Sequence, residues 1–177
     1  MFLLFLNVRN IESKFRYADH EDVLARAFDA GARDEGFLRQ GDQFYGVPKG
    51  RLKLRTMDGV DAELIAYDRE ATPGSGASDY GRYATSDRES PADVLERALP
   101  RADVVEKTRH LLILRNTRIH LDEVVGLGRF VELETVISTQ SESDASLEQE
   151  EVITTLGLGG AERIAVGYVD LSKGKGE

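Results

Sequence analysis

Charged and apolar residues alternate along several stretches of this chain. In GRLKLRTMDG, residues 50–59, the cations Arg51, Lys53 and Arg55 are separated by Leu52 and Leu54. A period of two belongs to a strand, because successive side chains there point to opposite faces. The pattern recurs with other charges. Asn10, Glu12, Lys14 and Arg16 share one face against Ile11, Ser13 and Phe15. Lys107 with Arg109, Arg118 with His120 and Asp122, and Glu132 with Glu134 obey the same rule. Glu63, Tyr67 and Arg69 keep the parity, although Ile65 interrupts the polar run. This alternation predicts strands at 8–17, 51–57, 62–69, 78–85, 104–114, 117–125 and 130–138, with a short last one at 163–171. An antiparallel sheet is the expected scaffold.

Three helices are predicted between the strands. Asp19 caps one that runs through Ala30 to Gly31, with an apolar stripe of Val23, Leu24, Ala27 and Phe28. Ser90 and Pro91 supply an N-cap and first position for residues 92–99, and Pro100 stops that helix. An acidic third helix is expected at 144–156, ended by Gly157. The Pro and Gly content of ATPGSGASD, residues 71–79, predicts a hairpin loop.

Neither a repeat nor a compositional break divides the 177 residues, so one domain over 1–177 is expected. The absence of cysteine excludes disulfides and thiolate sites and points to a reducing cytoplasm. The opening MFLLFL lacks the basic flank of a signal peptide and is too short to span a membrane, so it reads as an edge strand or a start-site extension. A net charge of -9 argues against tracking a nucleic-acid backbone. Cations in such a chain that bind an anion must do so in a local, enclosed place.

One charged strand face is ordinarily a solvated surface. Faces that change sign from strand to strand suggest more. In a closed barrel these positions would point inward, and a charged interior is severely destabilising unless ligands, metals or waters satisfy it. Arg and Lys hold phosphate oxygens, Arg through a planar fork and Lys as a point charge. Glu132 and Glu134, two apart in VELET, can converge on magnesium or manganese, with Glu12 and Asp122 added from across the barrel. His120 shares the face of Arg118 and Asp122 and is a candidate substrate contact or proton carrier. His110 has the outward parity, and His20 falls in a helical first turn. No His pair at ligand spacing and no cysteine argue against zinc. LGLGG, residues 156–160, has neither the spacing nor the context of a dinucleotide fingerprint, and no serine has an evident base partner.

IESKF, GRLKLR, VVEKTR and LDEVVGLGRFVELE together resemble, in order and spacing, the CYTH domain, or triphosphate tunnel metalloenzyme superfamily, over about residues 8–170. The resemblance implies an α+β fold: a closed eight-stranded antiparallel β-barrel, a tunnel with helices packed outside. It implies that Glu12 and Lys14 belong to an N-terminal Glu-x-Glu-x-Lys signature whose first glutamate is replaced here by Asn10. By the same resemblance Lys14, Lys53, Arg55, Arg69, Lys107 and Arg109 grip a triphosphate, with Arg82 and Arg118 as further contacts, and Arg51 joins the substrate-binding candidates through the strand face it shares with Lys53 and Arg55. Glu132 and Glu134 become metal ligands with Glu12 and Asp122, and Glu12, Lys14 and Asp122 are the catalytic candidates. The implied activity is metal-dependent hydrolysis of a small-molecule triphosphate such as ATP, thiamine triphosphate or tripolyphosphate, with Mg2+ or Mn2+ as cofactor. The alternatives are a class IV adenylyl cyclase, which makes cyclic AMP and pyrophosphate, and a polyphosphate-binding module without turnover. A barrel whose charges merely pair with one another is the plainest rival. No purine pocket is legible, and a homodimer is left open.

Overall fold

The computed structural model describes residues 9–58, 61–67, 80–87, 89–137 and 139–174. The expected strand or extension at 1–6, the hairpin loop at 71–79, and Arg69 lie outside the described residues.

The alternating segments form strands β1 (Arg9–Arg16), β3 (Arg51–Met57), β4 (Asp61–Tyr67), β5 (Tyr80–Thr85), β6 (Arg101–Leu114), β7 (Thr117–Val124) and β8 (Gly128–Ile137). A long strand that the alternation did not predict, β2 (Arg33–Tyr45), and a two-residue strand, β9 (Glu162–Arg163), complete the sheet. All pairings are antiparallel, in the order β5-β4-β3-β2-β6-β7-β8-β1-β9. The expectation of a closed eight-stranded barrel is therefore corrected. Among the described residues the sheet has nine strands, and no ladder joins β5 to β9 or β1. It curves instead, so that β1 near one end and β4 and β5 at the other line a single cavity.

The outward faces of β1, β6, β7 and β8 carry the apolar half of the alternation. Phe15, Leu112, Ile119, Leu121, Val131 and Leu133 are buried there against α1 (His20–Asp29) and α3 (Glu142–Thr155), which contribute Val23, Ala27, Val152 and Ile153. Each such side chain is worth about 1.5–3 kcal/mol of burial, so this cluster holds the outer helices to the sheet. A second cluster joins Phe44, Val105, Val124 and Phe130 to Tyr168 and Val169 of α4 (Tyr168–Lys173). A third sets Leu54 and Ala62 beneath Ala92 and Leu95 of α2 (Glu89–Ala98).

Asp19 caps α1 as expected, its side chain accepting from the Asp22 amide. The third helix begins earlier than expected because Ser141 is its N-cap and accepts from the Asp144 amide. Likewise α2 starts at Glu89, whose amide donates to Asp87 Oδ1 at 3.0 Å, so Ser90 and Pro91 fall inside its first turn. The strand expected at 163–171 is corrected to β9 followed by α4, with Gly167 at the helix N-cap in extended geometry. Between β7 and β8, Gly126 and Gly128 take φ of +74° and +99°, values that tolerate no side chain cheaply and explain the glycines of VGLGRF. No helix among the described residues is long and apolar enough to cross a membrane.

Candidate functional site

The polar half of the alternation lines a cavity of about 420 Å³, within the range of small-molecule sites. Seven cations, Lys14, Lys53, Arg55, Arg82, Lys107, Arg109 and Arg118, face it. So do five carboxylates: Glu12, Asp42, Glu63, Glu132 and Glu134. Strand parity places most of them, since the partner of each on the adjacent strand is read directly from the register.

Two of the cation pairs are built alike. Lys53 and Arg55 on β3 are held by Asp42 on β2, which stands opposite Arg55. Asp42 accepts from Lys53 Nζ at 2.7 Å and from Arg55 Nε and Nη2 at 2.7 and 2.8 Å. Lys107 and Arg109 on β6 are held by Asp122 on β7, which stands opposite Arg109. Asp122 accepts from Lys107 at 3.0 Å, from Arg109 at 2.6 and 2.7 Å, and from the Tyr168 hydroxyl at 2.8 Å. Its side chain is 0% exposed, and it lies behind the cavity wall with both oxygens occupied.

Burial opposes the charge of each aspartate, but the cations win. Lys53 and Arg55 hold Asp42 far below the usual carboxylate range, as Arg109 and Lys107 do Asp122. Burial, with Arg55 beside it, pushes Lys53 down to about 8 against the pull of Asp42. Lys107 is lowered by burial and then by Arg109. Burial, then Glu132 and Asp122, raise the Tyr168 phenol well above its ordinary value, so its hydroxyl stays a donor.

The second half of the site is acidic. Glu132 accepts from Arg109 at 2.6 Å and pairs with Lys14 at 2.9 Å. His120 Nδ1 lies 3.3 Å from Glu132 and 3.9 Å from Glu134, and Arg118 lies 3.5 Å from Glu134. Glu12 stands opposite Glu134 across the β1–β8 ladder. Lys14 also sits 4.1 Å from the centre of the Tyr168 ring, and Lys107 sits 5.0 Å from it.

A divalent cation fits this end of the cavity. Ligand atoms of His120, Glu132 and Glu134 lie within 4.8 Å of one another. Asn10 Oδ1, two residues from Glu12 and in the same wall, is buried without a hydrogen-bond partner. Gln40 Oε1 on β2 is a second such oxygen. Unpartnered buried acceptors are rare, and in a polar cavity they await a donor or a cation.

The cavity thus brings together Glu12, Lys14, Lys53, Arg55, Arg82, Lys107, Arg109, Arg118, Glu132 and Glu134. Arg82 reaches it partly engaged, bonded to Glu63 at 2.5 and 2.7 Å. Two expected residues stand elsewhere. Arg51 is outside the wall, paired at 2.7 Å with Asp170 of α4. Asp122 supports Lys107 and Arg109 from behind. Sequence reading missed Asp42, because β2 was not recognised, and Tyr168, because its segment read as a strand. Asp42 could have been found from its spacing of two from Gln40 and Phe44, which gives QGDQF the parity of a lining strand.

The arrangement matches a known family across its length. The CYTH domain model matches residues 9–168. Solved structures share the fold. A protein of Pyrococcus horikoshii OT3 superposes with a TM-score of 0.82 at 22% identity, covering 92% of this chain and 98% of its own. An adenylate cyclase candidate from Vibrio parahaemolyticus gives 0.74 at 18%, covering 93% and 98%. An adenylyl cyclase candidate from Hippeastrum, described as having a dominant triphosphatase activity, gives 0.70 at 14%, covering 95% and 96%. No curated protein matches in sequence. The family model, spanning nearly the whole chain on strands that carry this charged cavity, places the chain in the CYTH domain family.

Proposed function

We propose that the cavity binds a small-molecule triphosphate and hydrolyses it. The observation that carries this reading is the convergence of seven cations and five carboxylates on one cavity. Lys14, Lys53, Arg55, Lys107 and Arg109 are the phosphate ligands. Lys53 and Arg55 share Asp42 and Lys14 pairs with Glu132, so the substrate exchanges with those carboxylates, whereas Lys107 and Arg109 keep Asp122 and meet the phosphates in place. Asp122 and Tyr168 act as positioning residues that fix Lys107 and Arg109 from behind. Glu12, Glu132 and Glu134 would hold Mg2+ or Mn2+, which when bound supplies positive charge for the phosphate oxygens. Phosphoryl transfer asks chiefly for such positioning and charge neutralisation. Water adds to the terminal phosphorus, the bond to the bridging oxygen breaks, and orthophosphate and a diphosphate leave. We assign Glu12 to orienting that water. The triphosphatase activity named for the Hippeastrum structure supports hydrolysis over cyclisation.

Incubation with ATP, tripolyphosphate and thiamine triphosphate under Mg2+ or Mn2+, followed by product analysis, tests the proposal. Release of orthophosphate is expected. Cyclic AMP with pyrophosphate would replace hydrolysis by cyclisation, and absence of both with a raised melting midpoint would leave a binding module. Neither product nor midpoint shift overturns the triphosphate reading and leaves a cavity of mutually paired charges.

A further inference from the structure

The three histidines of the chain have different surroundings. His20 Nε2 lies 3.0 Å from the Phe130 carbonyl, and His110 lies 2.8 Å from Asp34 and stacks on Phe37 with ring centres 4.1 Å apart. Both have partners that explain them, outside the cavity wall. His120 alone of the three lines the cavity, with its side chain 4% exposed. It stands directly opposite Glu132 in the β7–β8 register, and its neighbours there are the two carboxylates of VELET.

We propose that His120 supplies an imidazole nitrogen to the divalent cation held by Glu132 and Glu134, and thereby makes the site prefer Mn2+ to Mg2+. This rests on the reading of the cavity as a metal-assisted triphosphate site. The Nδ1 separations of 3.3 and 3.9 Å from the two carboxylates lie within the span that bonds of about 2.0–2.2 Å bring together around one first-row ion. The unpartnered Asn10 Oδ1 adds a neutral oxygen to the same wall. Mg2+ favours an all-oxygen set completed by water and phosphate, whereas an imidazole nitrogen favours a first-row transition ion such as Mn2+ over Mg2+. Asn10 offers an oxygen without charge, which holds Mg2+ less well than a carboxylate would and matters less to an ion that also takes nitrogen. The two features act in the same direction.

Pulsed electron paramagnetic resonance on the full chain loaded with Mn2+, with and without tripolyphosphate, reads nitrogen coordination directly. A 14N coupling is expected in the native sequence and is expected to vanish in His120→Asn. Calorimetric titration with MnCl2 and MgCl2 should show the Mn2+ affinity falling at least about tenfold in His120→Asn, the lower end of what perturbed metal ligation costs. The Mg2+ affinity should fall less. Bound Mn2+ without 14N coupling in the native sequence overturns the inference, and needs no variant to fold. An unchanged ratio of the two affinities in a folded His120→Asn overturns it as well. In both outcomes the triphosphate reading survives. Failure of the native chain to bind either ion or tripolyphosphate removes that reading, and this inference with it.

Discussion

Two Lys-x-Arg pairs line the cavity, each opposed by one aspartate on a neighbouring strand, yet they sit in different settings. Lys53 and Arg55 face the cavity with side chains 12% and 15% exposed, and Asp42 is the carboxylate that holds them both. Lys107 and Arg109 are 4% and 6% exposed, and their aspartate is sealed behind them under Tyr168. Arg109 also reaches Glu132 and so ties the second pair to the acidic end. The same local chemistry thus yields one cluster poised to trade its carboxylate for a ligand and another built into the frame. The difference teaches that a short charged motif does not set its own role; what lies behind it does.

Breaking each aspartate tests this contrast at its strongest. Asp122→Asn removes the charge that holds two buried cations and leaves one oxygen for the donors of Lys107, Arg109 and Tyr168, so a loss of about 3–5 kcal/mol is expected, the range for one half of a buried pair. Asp42→Asn should cost less, about 1.5–3 kcal/mol, because its cations retain some access to water. Urea unfolding of the two variants measures the gap. Equal losses would erase the distinction between frame and ligand site.

The same contrast applies to binding. Lys53→Ala should weaken tripolyphosphate binding by about 1.5–3 kcal/mol, the worth of a hydrogen bond to a charged group. Isothermal titration with tripolyphosphate checks it, and an unchanged affinity would take this residue out of the site.

Lys53 also provides a pH signature. Its folded-state value is near 8, below its ordinary 10.5. The unfolded chain therefore binds the proton more tightly across that window. The stability penalty of keeping Lys53 charged is complete below about 8 and fades as pH rises toward 10.5, so this group stabilises the fold relatively as pH rises. Tripolyphosphate affinity should move in the opposite direction, falling as pH passes 8 and the ammonium is lost. Titrations at pH 7 and 9 should show this fall in the native sequence. Lys53→Arg, which keeps its charge, should flatten it. Parallel rises in stability and affinity would contradict the assignment.

What could be read from the sequence follows the apolar half of the alternation. β7 and β8 were legible because Ile119, Leu121, Val131 and Leu133 form an uninterrupted outer stripe under α3. β2 was not. Its first half, with Arg33, Asp34, Glu35, Phe37 and Arg39 exposed, has no buried stripe, and Gly36 and Gly41 dilute the rest. Losing that strand hid Asp42 and with it the reason Lys53 and Arg55 tolerate each other. The α4 segment misled for another reason. Ile164, Val166, Tyr168 and Val169 have strand propensity, but Gly167 opens a helix whose burial against Phe44 and Phe130 overrides it. Closure was expected from resemblance, whereas ladder pairing is settled by the curvature of the whole sheet, which no local pattern encodes.

Arg51 gives the smallest effect and the sharpest check on parity as a guide. It shares the face of Lys53 and Arg55 in the sequence, yet it sits at the start of β3, where the strand leaves the cavity for α4. There it bonds Asp170 at 2.7 Å, with both side chains a little over a quarter exposed. A pair so placed is worth about 0.2–1 kcal/mol. Arg51→Ala should therefore lower stability by that amount, through a looser α4, and leave tripolyphosphate affinity within about twofold, a difference of about 0.4 kcal/mol. If affinity instead falls as far as in Lys53→Ala, the Asp170 pairing is a resting state from which Arg51 swings to the ligand. The contrast would then lie between cations that move and cations that stay, and Lys107 and Arg109, pinned by Asp122, would define the second kind.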